Sequence, residues 1–373
     1  MSTEVILTEI ESKIEKVHTQ SLDLSFNELL NMYENEELDI SPDYQRLFRW
    51  SEGARSRFIE SLILEMPVPP IYVVETESGS YQLIDGLQRF SSYLHLRGEL
   101  EAKHMGVNKG EFLVLSDCDI IDSINGLTFN DLPMALKIKL KRSFVRVEVV
   151  RKGSDKKFKY HMFKRLNTGG EELTEQQIRN CTIRMLDPTF NDFIIKLSET
   201  ADYSICVSNL SDSQRYGSYD QELVLRYFAL KNNKDGFKHD VADFMTEYME
   251  SVAGGTVEFD YEENEVNFLK VFELFNKAHG DKIFGRLNNQ SDKLQSNFGI
   301  YHFESLCIGI QCVIDKIDTN NPLHIKKFAD AVLSLKGDAS FKTETTGGGK
   351  NSTGLLNRRI GIAEAFFSEA FSD

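Results

Sequence analysis

The stretch YQLIDGLQRFSS, residues 81–92, ends an apolar, extended run on Asp85-Gly86 and passes at once into a polar, helix-forming segment. A strand that hands over to a helix leaves the first helical N–H groups without intrahelical acceptors, all pointing one way. The helix dipole adds to their pull on an anion. Gly86 lets the main chain approach a phosphate with no side chain in between. Arg89 can close on the same group with a forked guanidinium, and Ser91 and Ser92 add hydroxyls in the first turn. Asp85 is the odd member, because a bare carboxylate repels phosphate. It makes sense beside a divalent metal such as Mg²⁺, as the group that orients a water, or as an acceptor for a ribose hydroxyl. With Gln88 it completes the expected catalytic set Asp85, Gln88 and Arg89. The same residues equally describe an ordinary helix start, with Asp85 as its cap and Arg89 in a surface ion pair.

The surrounding elements must deliver that corner. SEGARSRFIESLILEM carries Phe58, Leu62 and Met66 on one helical face, and Pro67, Pro69 and Pro70 stop it. IYVVET and SYQLI are β-rich runs joined by Glu77-Ser78-Gly79, a hairpin pattern; KRSFVRVEVV is a third strand with alternation from Phe144 to Val150. Ser25 and Glu28 mark one helix start, Thr174 and Gln177 another. Residues 1–20 read as a helical arm with Ile6, Ile10, Ile14 and Val17 in register, 21–170 as an α+β domain built on a small mixed sheet, and 171–373 as a mainly α-helical domain.

Other groups could join the site. Arg46 and Arg49 stand among aromatics in PDYQRLFRW, where they can clamp phosphate and a ring can stack a base, or where their stems cover an aromatic cluster. FKRLNTGG ends a helix on paired glycines, with Arg165, Asn167 and Thr168 able to present polar groups to phosphate. Gln177, Arg179 and Asn180 follow with a weaker claim. His95, His161, His239 and His302 have no ligand partner at helical spacing and read as structural. GGGK at 347–350 fails as a P-loop, since Glu344 stands at the first glycine position and Asn351 where Ser or Thr is needed. Asp85 with Glu101-Ala102-Lys103 imitates a nuclease signature, but the latter reads as a helix end rather than a strand. The second half shows no HNH set, so nuclease activity within this chain is not expected.

Composition narrows the classes. The net charge of −15 argues against a protein that coats DNA, yet residues 137–165 hold twelve Lys and Arg against Glu148 and Asp155. That basic strip either faces DNA or pairs with acids of its own chain. Five cysteines without CxxC spacing suit free thiols in a cytoplasmic setting, and no apolar run approaches a membrane span.

Four blocks, PDYQRLFRW, ESLILEMPVPPIYVVE, YQLIDGLQRFSSYLHL and FKRLNTGGEELTEQQIRNC, come in an order and spacing that resemble the nucleotide-binding core of the ParB and sulfiredoxin-like superfamily. The likeness is closer still to domain-of-unknown-function family 262, the N-terminal domain of GmrSD-type restriction systems. It covers residues 41–181. The resemblance implies a domain that binds, and in some members hydrolyses, a nucleoside triphosphate in phage defence. The family's D-G-Q-Q-R motif falls on Asp85, Gly86, Leu87, Gln88 and Arg89, with Leu87 replacing a glutamine. On this reading the chain is a nucleotide-binding, NTP-hydrolysing defence protein. The alternatives are a DNA-binding module or an adaptor for a separate nuclease or methylase subunit, and a homo-oligomer is compatible with each.

Overall fold

The computed structural model describes residues 18–40, 48–154, 174–238, 240–288 and 293–372, with isolated positions at 5, 7, 11, 162, 165 and 166 and the backbone alone of Met185. The chain divides into two compact units, Met1–Leu173 and Thr174–Asp373.

The first unit is built on a five-stranded mixed sheet in the order β1-β5-β3-β4-β2. Its strands are β1 (Thr19–Ser25), β2 (Leu38–Asp39), β3 (Ile71–Glu75), β4 (Tyr81–Asp85) and β5 (Phe144–Val150). The β1/β5 and β3/β4 pairs are antiparallel, and β3/β5 and β2/β4 are parallel. Alternation decides which side of β5 is the core: Val145, Val147 and Val149 are buried and face Leu24, Leu22 and Gln20, while Arg146 and Glu148 lie on the opposite face. Helices α1 (Phe26–Glu34), α2 (Glu52–Ile63), α3 (Leu87–Arg97) and α4 (Met134–Arg142) complete the unit. Phe26 joins them in the core, its ring 5.2 Å from Tyr93 and 5.8 Å from Phe58.

Local signals set the ends of these helices. Ser25 Oγ accepts from Glu28 N at the start of α1, and Ser51 Oγ accepts from Ala54 N at the start of α2. Gly98, in the left-handed region at φ 76°, closes α3, with Glu99 N donating to Leu94 O. The hairpin between β3 and β4 is present as expected. Two strands were not foreseen. β1 starts at Thr19, inside the stretch expected as a helical arm, because pairing with β5 from Thr19↔Val150 to Ser25↔Phe144 outweighs its polar composition. Most of the helix expected to end at FKRLNTGG (157–167) and most of the arm lie outside the described residues.

The second unit is helical, as expected. The elements that matter below are α5 (Glu175–Thr182), α6 (Tyr219–Asn233), α7 (Ile300–Gly309) and α8 (Thr353–Ala370). Thr174 and Gln177 form the anticipated capping box at the start of α5. The GGGK stretch lies in the turn that precedes α8. The α+β reading, a small mixed sheet with helices followed by a mainly helical region, holds.

Candidate functional site

The β4–α3 corner is shaped by an irregularity and a glycine. β4 pairs with β3 through Val73↔Leu83 and then Tyr72↔Asp85, so Ile84 is an extra residue that re-aims the strand end. Gly86 follows at φ 102° and is the N-cap of α3. A Cβ there would lie 2.8 Å from Ile71 Cγ1 and 3.3 Å from Arg89 Nη2, so conformation and space both demand glycine. α3 has no side-chain cap, in contrast with α1 and α2. Asp85 does not cap it. Its Oδ2 accepts from Arg89 Nη2 at 2.8 Å, and the same nitrogen donates to Pro70 O at 3.0 Å. The proline-ended turn after α2 therefore supplies the carbonyl that steadies the arginine. Arg89 Nε is buried with no acceptor among the described residues. The two side chains keep 16% and 29% of their surface in solvent.

Within the turn Phe90 N is bonded to Gly86 O, which leaves the amides of residues 87–89 ahead of the first intrahelical acceptor. Leu87 is only 3% exposed, so the position where the resemblance puts a glutamine lies on the buried side of the turn. Ser91 and Ser92 are buried too, and Ser92 Oγ donates back to Gln88 O. The expectation that these two hydroxyls reach a phosphate is corrected by their burial within α3.

Gln88, expected in the catalytic set, is tied into the framework by its side-chain oxygen. Its Oε1 accepts from both Arg49 N at 3.0 Å and Trp50 N at 3.1 Å. Two more side chains hold the same segment. Arg55 Nε donates to Trp50 O at 2.8 Å with its guanidinium 4.8 Å from the centre of the Phe48 ring, and His104 Nε2 lies 2.9 Å from Phe48 O. Arg55 Nη1 meets His95 Nδ1 at 2.9 Å. Burial, then the neighbouring Arg55 charge, pushes the His95 pKa down to about 4, so the ring is neutral and accepts from the guanidinium. Burial also lowers the Arg55 pKa. His95 is structural, as expected, and this clamp anchors half-buried Arg49 next to α3. The sequence contained Arg55 and His95 but no signal that they meet.

Arg46, Asn167 and Thr168 lie outside the described residues, and Arg165 is exposed. Gln177, Arg179 and Asn180 are buried inside the helical unit. Gln177 Nε2 donates to Tyr216 O, Asn180 Nδ2 to Gln221 Oε1 and Arg179 Nε to Thr246 Oγ1. Arg179 also heads a buried ionic chain through Glu222, Arg226, Glu304 and Arg359 that ties α5, α6, α7 and α8 together.

Three of the strip's twelve basic residues are paired within the chain: Lys139 with Glu65, Arg146 with Asp23 and Arg151 with Glu75. Between α2, α4 and the start of β5 the strip borders a cavity of about 750 Å³, lined by Leu62, Met66, Ile138, Arg142 and Phe144 among others. Among the described residues no group of three His, Cys, Asp or Glu could hold a metal, and no helix is long and apolar enough to cross a membrane.

Residues 26–184 match the family described as GmrSD restriction endonuclease, N-terminal domain. The match takes in the whole β4–α3 corner and runs on through α5. No curated protein and no solved structure matches the chain. Residues 26–184 are therefore a GmrSD N-terminal domain, a component of restriction and phage-defence systems.

Proposed function

We propose, with a GmrSD N-terminal domain as the premise, that this chain binds a nucleoside triphosphate at the β4–α3 corner and hydrolyses it as part of a restriction system. The observation that carries the reading is the uncapped start of α3. Gly86 takes the turn at positive φ, and the adjacent carboxylate is engaged by Arg89 instead of closing the helix end. The amides of residues 87–89 then offer donors to a phosphate, and Arg89, held by Pro70 O, is preorganised beside them. Asp85 is a single carboxylate, which suits Mg²⁺ held mainly by phosphate oxygens and water. The metal would supply charge neutralisation of the phosphates. Gln88 positions the segment bearing Arg49, and Arg46 is proposed to neutralise charge that develops on the transferred phosphoryl group.

Binding of fluorescent ribonucleoside triphosphates to the full chain, with and without Mg²⁺, tests this. Wild type should bind and Arg89→Ala should not. Equal affinity in the two proteins would remove the corner as the site.

A further inference from the structure

One row of the sheet crosses four strands at the level of Asp85. Cα pairing places Ser21 of β1 opposite Glu148 of β5, Glu148 beside Tyr72 of β3, and Tyr72 opposite Asp85 of β4. Ser21, Glu148 and Tyr72, paired directly across a regular ladder, point to the same face, and Asp85 meets that row across the bulge at Ile84. This face carries Arg146 and Glu148, opposite the one on which Val145, Val147 and Val149 are buried. Tyr72, Glu148 and Asp85 are half-exposed and Ser21 is exposed, so this row reaches solvent, whereas the next row on the same face, Val74 and Val150, is buried. One strand spacing puts Tyr72 about 5 Å from the Asp85 backbone, and two put Glu148 about 10 Å away.

We infer that Tyr72 and Glu148 form a shelf for the nucleoside end of the ligand, with Tyr72 stacking on the base and Glu148 accepting from a ribose hydroxyl. This rests on the reading of the Asp85–Arg89 corner as a phosphate site and names what lies beyond the phosphates. Three observations support it. The row starts at Asp85, the acid of the proposed phosphate corner, and continues through Tyr72 and Glu148 on the neighbouring strands. Glu148 is held in place on one side only: Ser21 Oγ donates to its Oε2 at 2.6 Å, while Oε1 has no hydrogen bond among the described residues. An ordered carboxylate with an open oxygen is the group that binds ribose hydroxyls in dinucleotide sites. Tyr72 is a half-exposed aromatic ring, and a base stacks on such a ring without regard to its identity. The shelf therefore selects for ribose more strongly than for any one base.

The test measures binding of tripolyphosphate, the four ribonucleoside triphosphates and their 2′-deoxy counterparts to the full-length wild type and to Tyr72→Leu, Tyr72→Phe, Glu148→Ala and Arg89→Ala. Wild type should prefer ribonucleotides to tripolyphosphate and to deoxynucleotides. Tyr72→Leu should weaken nucleotides about tenfold and leave tripolyphosphate unaffected, with Tyr72→Phe restoring the stack. Glu148→Ala should bring the ribose-to-deoxyribose ratio close to one. If Arg89→Ala abolishes all binding while nucleotide affinity and ribose preference are unchanged in Tyr72→Leu and Glu148→Ala, the shelf is refuted and the phosphate corner stands. If wild type binds neither tripolyphosphate nor any nucleotide, the corner fails and the shelf fails with it.

Discussion

Replacing Gln88 by alanine separates two roles that the motif alone leaves merged. Gln88 Oε1 receives the amides of Arg49 and Trp50 and thereby fixes residues 48–50 against α3. Alanine leaves both donors without that acceptor. Each hydrogen bond contributes about 1 kcal/mol net, and a donor stranded in the interior costs about 1–3 kcal/mol. Gln88 is half-buried, so water can take up part of the loss. The expected destabilisation is about 2–3 kcal/mol. It should be local, because Arg55 and His104 still hold Trp50 O and Phe48 O. Trp50 is the chain's sole tryptophan, so its fluorescence reports this segment directly. In urea the Trp50 signal of Gln88→Ala should change before the far-ultraviolet helical signal, and the amides of Arg49 and Trp50 should exchange roughly 30–150-fold faster than in wild type. Gln88→Glu keeps an acceptor and should recover most of the loss. A Gln88→Ala protein with unaltered amide exchange and no phosphate release would refute the positioning role and return Gln88 to the chemistry.

Three further outcomes follow from the geometry. Gly86→Ala puts a Cβ 2.8 Å from Ile71 Cγ1 in a left-handed residue; it should lose about 2–3 kcal/mol in urea denaturation and lose nucleotide affinity as the start of α3 shifts. His95 is neutral in the folded protein with its pKa depressed from 6.5 to about 4, so its contribution to stability is fully present above pH 6.5 and is lost as pH falls through that window. Between pH 7 and 4.5 wild type should therefore lose about 2–3 kcal/mol more than His95→Gln, measured by denaturant unfolding at each pH, and parallel pH profiles would refute a buried, neutral His95. Glu304→Gln removes the carboxylate shared by Arg226 and Arg359 and should destabilise the helical unit by about 3–5 kcal/mol; an unchanged urea midpoint would show that the ionic chain does not form.

Local signals in the sequence went far where the structure is local. Ser25, Thr174 and Gly98 each act through neighbours a few residues away, and the helix ends fall where those residues place them. β3 and β4 are joined by a five-residue turn, so their hairpin is equally visible. β1 is not. Only Leu22 and Leu24 of TQSLDLS face the core, and the strand exists because Val145 and Val147 meet them from more than 120 residues away. Two-residue β2 is too short for any periodicity to register.

The same division runs through the candidate site. Asp85, Gly86 and Arg89 are close in sequence, and the turn that joins them was legible, although neither reading of it paired the carboxylate with Arg89. Gln88 was read by type: an amide in a phosphate motif suggests catalysis, but its acceptor is spent on a segment 39 residues earlier. Leu87 shows the reverse case. The resemblance puts an amide there, and the motif alone does not say whether its replacement by leucine matters. Burial at 3% changes the weight of that departure, since a side chain packed beneath the turn touches neither phosphate nor water. What keeps contact with solvent at this corner is the half-exposed Asp85–Arg89 pair and the row through Tyr72 and Glu148, and the last two residues come from strands that the motif never included. The motif marks where the phosphates would sit, whereas the sheet register supplies the contacts that would distinguish one ligand from another.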